Sequence, residues 1–224
     1  MIPRRTVVLA PILALPALAL AQSALTTPAQ AQAVHTRGLD FDQFVTELWK
    51  DAQAKGITRT TFAKAFADVT PDARVIATTK KQPEYGKPAG AYVTSIASAT
   101  NAREGLKKEA QWRPTFDAVE KRFRVERWVI LAIWGMETSY GALKDKWDGI
   151  RSLATLAFIK YRDPYFRDEL LIALHIIQDG HIPREKFATS WAGAMGQTQF
   201  MPTNFVDYAI DFDGDGKRDI WTSV

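Results

Sequence analysis

Cysteine is absent from the 224 residues. That excludes a disulfide framework, a thiolate zinc site, a cysteine nucleophile and a lipid anchor on cysteine. Histidine is scarce. His35, His175 and His181 stand in no HExxH or paired spacing, so they read as surface or core residues rather than as a metal centre. No run of useful length alternates apolar and polar residues at strand period. What remains is 46% hydrophobic and 24% charged, an ordinary globular composition with material for one sizeable core and a satellite lobe.

The one long apolar run, residues 7–21, follows Arg4 and Arg5, contains Pro11 and Pro16, and leads to small-x-small sites at Ala17-Leu18-Ala19 and Ala31-Gln32-Ala33. It is too short to span a bilayer comfortably and has the layout of a cleavable secretory signal, with the Arg pair a weak pointer to twin-arginine export. Residues 1–33 are therefore expected to be signal peptide and small-residue leader, and 34–224 the exported domain. Cleavage after Ala33 removes two of the 29 basic residues and none of the 25 acidic ones, leaving 27 − 25 = +2. Such a mild surplus suits an anionic polymer such as a cell wall, but it is too small and scattered for nucleic acid.

Helical periodicity accounts for most of the rest. Phe41, Phe44, Val45, Leu48 and Trp49 share a face after Asp40, with Gly56 just beyond, and a short helix with Phe62 and Phe66 follows Thr58 until Pro71. Pro83, Gly86, Pro88 and Gly90 mark a loop or crossing segment, after which 92–111 reads as helix. Pro114 opens a helix with Phe116, Val119 and Phe123, leading to the next at 126–138, which Gly141 ends. Ser152 is expected to cap a helix with Leu153, Leu156, Ala157 and Ile159. Pro164 should start another, with Phe166, Leu170, Leu171, Leu174 and Ile177, closed by Gly180. The fold class is mainly α.

Three stretches carry chemistry. At 128–141, WVILAIWGMETSYG, a single carboxylate stands in an apolar segment. Ile130, Ile133 and Trp134 lie seven, four and three residues before Glu137 and share its helical face. If they cover it, loss of water raises the carboxyl pKa and suits Glu137 to general acid work. The other reading is a helix whose Glu reaches solvent or pairs with Lys144 or Lys146. At 190–204, SWAGAMGQTQFMPTN, small residues let backbone approach a sugar ring, while Ser190, Gln197 and Gln199 can hydrogen-bond its oxygens. A close helix pair explains the same small residues equally well. At 211–219, DFDGDGKRD, Asp211, Asp213 and Asp215 with Gly216 match the front half of an EF-hand loop, and Lys217 would offer its backbone carbonyl. Thr222 stands where the closing Glu is expected, so structural Ca2+ is favoured over a solvated acidic turn only if the last carboxylate comes from elsewhere.

Taken together, E-T-S-Y-G at 137–141, S-W-A-G-A-M-G at 190–196, Q-F-M-P at 199–202 and the D-x-D-G-D-G loop, in that order, resemble the membrane-bound lytic transglycosylase B family. The resemblance covers roughly residues 40–224. It implies a lysozyme-like catalytic core with an added helical lobe and an EF-hand-like calcium loop, in a periplasmic enzyme of cell-wall turnover. It implies Glu137 as sole acid and base on the β-1,4 bond between N-acetylmuramic acid and N-acetylglucosamine, making 1,6-anhydromuramic ends with no cofactor for the chemistry. Ser190, Met195 and Gln199, with Tyr140, match positions of the sugar site, and peptidoglycan strands are the partner. Trp191 replaces a usual Tyr, and Gln197-Thr198 stands where Tyr-Gly is common. No lipobox Cys is present, so an unanchored monomer is expected. Family members continue past this point with further helices, so the chain is also expected to be incomplete at its C-terminus. Two rivals stay open: a hydrolytic muramidase using Asp145 or Asp148 as second carboxylate, and a non-catalytic wall-binding module.

Overall fold

The computed structural model describes residues 38–81 and 88–223. The expected leader, and Pro83 and Gly86 of the crossing segment, lie outside them. Ten helices run through the described residues: α1 Gly38–Ala54, α2 Arg59–Phe66, α3 Ala73–Thr79, α4 Ala89–Ile96, α5 Ala99–Gln111, α6 Arg113–Phe123, α7 Arg127–Thr138, α8 Gly149–Phe158, α9 Tyr165–Gln178 and α10 Pro202–Tyr208. The only sheet among them is a two-residue antiparallel pair, β1 Trp147–Asp148 with β2 Ala188–Thr189.

The core forms where apolar residues cover more than one helical face. In α8 every residue from Ser152 to Ala157 is buried, so the helix is enclosed all round. It packs on α9, whose Phe166, Leu170, Leu171, Leu174 and Ile176 are buried with it. α1, α2 and α3 close the other sides with Phe41, Leu48, Phe62 and Val75. Burial of each large side chain removes enough apolar surface to contribute roughly 1.5–3 kcal/mol. α10 is pinned to α9 by the buried Glu169, which accepts from Thr203 N at 2.9 Å and Thr203 Oγ1 at 2.7 Å and so satisfies donors of the helix's first turn.

The lobe of α5, α6 and α7 is held differently. Arg127, the first residue of α7, donates Nη1 to Glu109 Oε1 of α5 at 2.8 Å, and its Nη2 to Asp117 and Glu120 of α6. Its backbone N and Nε also reach the Glu120 carboxylate, at 2.7 and 3.0 Å. Arg113 takes the second oxygen of the buried Glu109 at 2.8 Å. One planar guanidinium thus ties three helices together, raising the Arg127 pKa through the side-chain bonds to Glu120, Asp117 and Glu109.

Local rules failed in three places. The stretch expected to be one helix over 92–111 is two, because Ser98 leaves helical geometry and accepts from Asn101 N at 3.2 Å as the cap of α5. Ser152 does not cap α8; it lies inside it, buried, and Asp148 caps it by accepting from Arg151 N at 3.0 Å. α3 has no counterpart in the sequence pattern; its Asp72 cap is fixed from a distance, with Asp72 N donating to the buried Thr155 Oγ1 at 2.9 Å.

Candidate active site

α7 ends at Thr138 because Ser139 turns left-handed, and Tyr140 and Gly141 follow with positive φ. Glu137 therefore sits in the last turn, and it is exposed. The expected apolar cover does not exist: Ile133 is itself 48% exposed, and α7 buries only Leu131 and Thr138. Among the described residues neither Lys144 nor Lys146 pairs with Glu137. Ile130, Ile133 and Trp134 instead line a groove of about 660 Å³, whose other walls are Trp112, Phe116, Phe200, Phe212 and Ile220. Helical spacing carries the same face one turn further to Glu137.

The 190–200 loop is the second wall. Ser190 Oγ accepts from Ala194 N at 3.1 Å and Ala192 N at 3.3 Å, which curls the loop and leaves the hydroxyl proton for a ligand. Met195 is fully buried in the core and bridges Thr189 and Phe200 through its backbone, so its side chain does not line a sugar site. Gln199, at φ +50°, spends both amide protons, on Asp145 Oδ1 at 3.1 Å and Gly196 O at 3.0 Å, and keeps Oε1 as an acceptor. Tyr140 turns away from the groove. Its ring wedges between Gly105 and Gly135, where an added Cβ would meet it at 2.7 Å, and its hydroxyl donates to Asn101 O at 2.9 Å. Burial, then the Glu104 charge, raises its pKa. It braces α5 against α7 rather than facing the groove.

The two later carboxylates are committed to scaffolding. Asp145 accepts Gly196 N at 3.2 Å as well as the Gln199 amide; its burial pushes the carboxyl pKa up, against the pull of those two donors. Asp148 caps α8 and takes Arg184 Nη2 at 2.8 Å.

Gln197, a departure from the family pattern and one of the expected sugar-bonding residues, spends its side chain on the protein instead. Its Oε1 accepts Trp134 Nε1 at 2.9 Å, its carbonyl accepts Thr138 Oγ1 at 2.9 Å, its N donates to Ile220 O at 2.8 Å and its Nε2 donates to Ser223 O at 3.0 Å. Gly196, at φ +64°, permits this approach: a Cβ there would lie 2.5 Å from Ile220 O.

Below the groove, Asp211 accepts Gly216 N at 2.9 Å and Gly214 N at 2.7 Å, which lowers its pKa, and Asp215 accepts Lys217 N at 2.8 Å. Asp211, Asp213 and Asp215 each bring a carboxylate oxygen within 4.8 Å of the others, an all-oxygen set of the kind a hard divalent cation takes. Thr222 donates its hydroxyl to Asp219. Asp213 and Lys217 also line the groove.

Residues 40–224 match the Transglycosylase SLT domain. The chain is 33% identical over 151 residues to the membrane-bound lytic murein transglycosylase B of Escherichia coli, covering 66% of this chain and 42% of that protein. Its fold superposes on SltB3 of Pseudomonas aeruginosa, seen in complex with NAG-anhNAM-pentapeptide, with a TM-score of 0.78, 43% identity, and coverage of 82% of this chain and 49% of that one. The E. coli lytic transglycosylase Slt35 in complex with calcium gives a TM-score of 0.70 at 27% identity, with 82% and 58% covered. The chain thus spans about half the length of these relatives. From its mostly helical fold and the match over nearly all the described residues, the chain belongs to the family that carries the Transglycosylase SLT domain.

Proposed function

We propose that the protein is a peptidoglycan lytic transglycosylase, cleaving the β-1,4 bond between N-acetylmuramic acid and N-acetylglucosamine with Glu137 as sole acid and base. The observation that carries this is the state of the neighbouring carboxylates. Asp145 is held by Gly196 and Gln199 and Asp148 by Arg151 and Arg184, whereas Glu137 stands exposed, one helical turn beyond Ile133 of the groove wall. A hydrolase needs a second carboxylate to activate water. With Asp145 and Asp148 both engaged, the substrate's own groups serve. Glu137 protonates the glycosidic oxygen, the C1–O4 bond breaks, and the 2-acetamido group stabilises C1. The Glu137 carboxylate then takes the proton of muramyl O6, which bonds to C1. The acid is restored, a 1,6-anhydro ring forms, and no water is consumed. Sugar filling the groove would supply the desolvation that the folded chain itself does not give Glu137. Ser190 Oγ and Gln199 Oε1 offer a donor and an acceptor for the sugar, and the SltB3 complex with an anhydro product supports the reading.

Digestion of purified peptidoglycan in isotopically labelled water tests it. Unlabelled anhydro ends are expected, and Glu137→Gln should cost at least ~100-fold in turnover. Label at the new muramyl C1 would overturn the reading in favour of a muramidase, and near-normal turnover of Glu137→Gln would remove Glu137 from it.

The all-oxygen donor set of Asp211, Asp213 and Asp215, joined by the Lys217 carbonyl, fits a structural Ca2+ that would stiffen the lower wall of the groove without entering the chemistry. Millimolar calcium should raise the melting temperature and chelator reverse it, by linkage to the native state; an unchanged Tm would leave an acidic turn. The leader sequence supports export to the periplasm, with the domain acting there as an unanchored monomer on glycan strands. No described helix is long and apolar enough to cross a membrane.

A further inference from the structure

The assignment of Glu137 raises the question of what holds an exposed carboxylate in register with a sugar bound against a different segment. α7 is anchored at its start by Arg127. On its α5 side its end is packed by the Tyr140 ring, while Ile133 and Met136 are about half exposed. The polar contacts at that end converge on one residue. Gln197 accepts Trp134 Nε1 three residues before Glu137 and Thr138 Oγ1 one residue after it, and its side chain fills the space beside Gly141, where a Cβ would lie 2.3 Å from Gln197 Oε1. Thr138 Oγ1 in turn accepts Gly141 N at 3.1 Å, so the left-handed turn that ends the helix belongs to the same bracket. The other side of Gln197 grips Ile220 O and Ser223 O, and Gly196 beside it is held by Asp145.

We propose, resting on the reading of Glu137 as the acid and of Ser190 and Gln199 as sugar-holding, that Gln197 is a positioning residue: it locks the last turn of α7 to the 190–200 loop, so that Glu137, Ser190 and Gln199 keep a fixed separation. Both lone pairs that α7 uses, the Oε1 and the backbone O of Gln197, come from one residue. A shift of the loop therefore moves the acid with it. Trp134 cannot keep its indole hydrogen bond while the helix end drifts. Misplacement of an acid by a fraction of an ångström acts on the chemical step and leaves sugar binding largely intact.

The test uses Gln197→Met, which keeps length and volume but removes the acceptor, Trp134→Phe, which removes the donor, and the two combined. Turnover on peptidoglycan and the Trp134 indole N–H resonance are the readouts. Gln197→Met should lower kcat about tenfold with KM changed less than about twofold. Its indole resonance should move upfield, and the double variant should be no slower than Gln197→Met, because Gln197→Met already removes the Trp134–Gln197 bond. Thr138→Val cuts the second link without touching Gln197 and should lower kcat alone in the same way, which keeps the test open should Gln197→Met fold poorly. Unchanged kcat, a rise in KM with kcat preserved, or losses that multiply in the double variant would each overturn the proposal. Glu137→Gln separates the levels: a Glu137→Gln enzyme that turns over removes the parent reading, whereas an inert one beside a fully active Gln197→Met removes this inference alone.

Discussion

The α8–α9 pair and α7 are built from similarly apolar sequences and live in opposite surroundings. GIRSLATLAF of α8 is buried on all sides, and α9 contributes Leu170, Leu171 and Leu174 to the same core. RWVILAIWGMET of α7 leaves Trp128, Val129, Ile133 and Met136 about half exposed. Apolar burial holds the first pair; polar clamps at its two ends, Arg127 and Gln197, hold the second. A helix that lines a groove gives up part of its own burial, so its position depends on a few directional bonds.

The largest break in that contrast should come from the core. Leu170→Ala deletes a fully buried side chain between α8 and α9 and is expected to cost about 2–5 kcal/mol, read as a lower urea midpoint. Met136→Ala on α7 removes the same kind of apolar bulk from a half-exposed site and should stay within about 0.5–1 kcal/mol. Equal losses would mean that the α7 surface is covered in solution, and the comparison would fail.

Next in size is the clamp at the start of α7. Arg127→Met keeps the aliphatic stem but leaves Glu109, 6% exposed, with Arg113 alone, and strands Asp117 and Glu120 beside it. With Asp117 and Glu120 in contact with solvent, the loss is expected to be smaller than in Leu170→Ala. The loss should shrink as pH falls and Glu120, whose pKa the Arg127 side chain lowers, protonates, whereas the loss in Leu170→Ala should not. A pH-independent loss would point to packing by the Arg127 stem as its role.

How much of this was legible in the sequence follows the same division. α9 could be read because its apolar spacing, Pro164 before it and Gly180 after it are local signals, and each is used where expected. The cap of α8 could not. Ser152 and Asp148 are both plausible caps by type, and the choice was made by Arg184, 36 residues away, which holds the second Asp148 oxygen. Periodicity put Ile130, Ile133 and Trp134 on one face, which lines the groove, but it carries no information on whether that face meets protein or a groove. The same limit applies in the motifs. Tyr140 and Met195 stand at the expected positions, yet positive φ turns one toward α5 and a backbone bridge buries the other. Gln197 was legible as a departure from the pattern and a sugar-bonding candidate, but not as a bracket, since its four partners come from two distant parts of the chain, 134–138 and 220–223.

The smallest effect expected is also the one that reaches the lower wall of the groove by a different route. His181, half-buried, accepts Arg218 N at Nδ1 over 3.4 Å, with Arg218 Nη2 3.3 Å from Nε2 and the Phe205 ring 5.3 Å away. Burial first, and the Arg218 charge second, lower its pKa below the usual 6.5, while Asp179 pulls weakly the other way. The sign follows from proton counting. Between the folded and unfolded values the unfolded chain holds more protons, so stability rises with pH across that window. The contribution of the neutral ring is fully present above pH 6.5 and is lost as the pH falls through the lower folded value, when an imidazolium would face the guanidinium and Nδ1 could no longer accept. Because Arg218 directly follows the 211–217 loop, acid should loosen that loop before it touches the α8–α9 core. Hydrogen exchange at pH 7.5 and pH 5 reads this directly: faster exchange at Lys217 and Arg218 in acid, abolished in His181→Asn, with Leu170 and Leu171 protected at both values. Uniform loss of protection, or acid sensitivity that survives His181→Asn, would place the titrating groups elsewhere and remove His181 from the account.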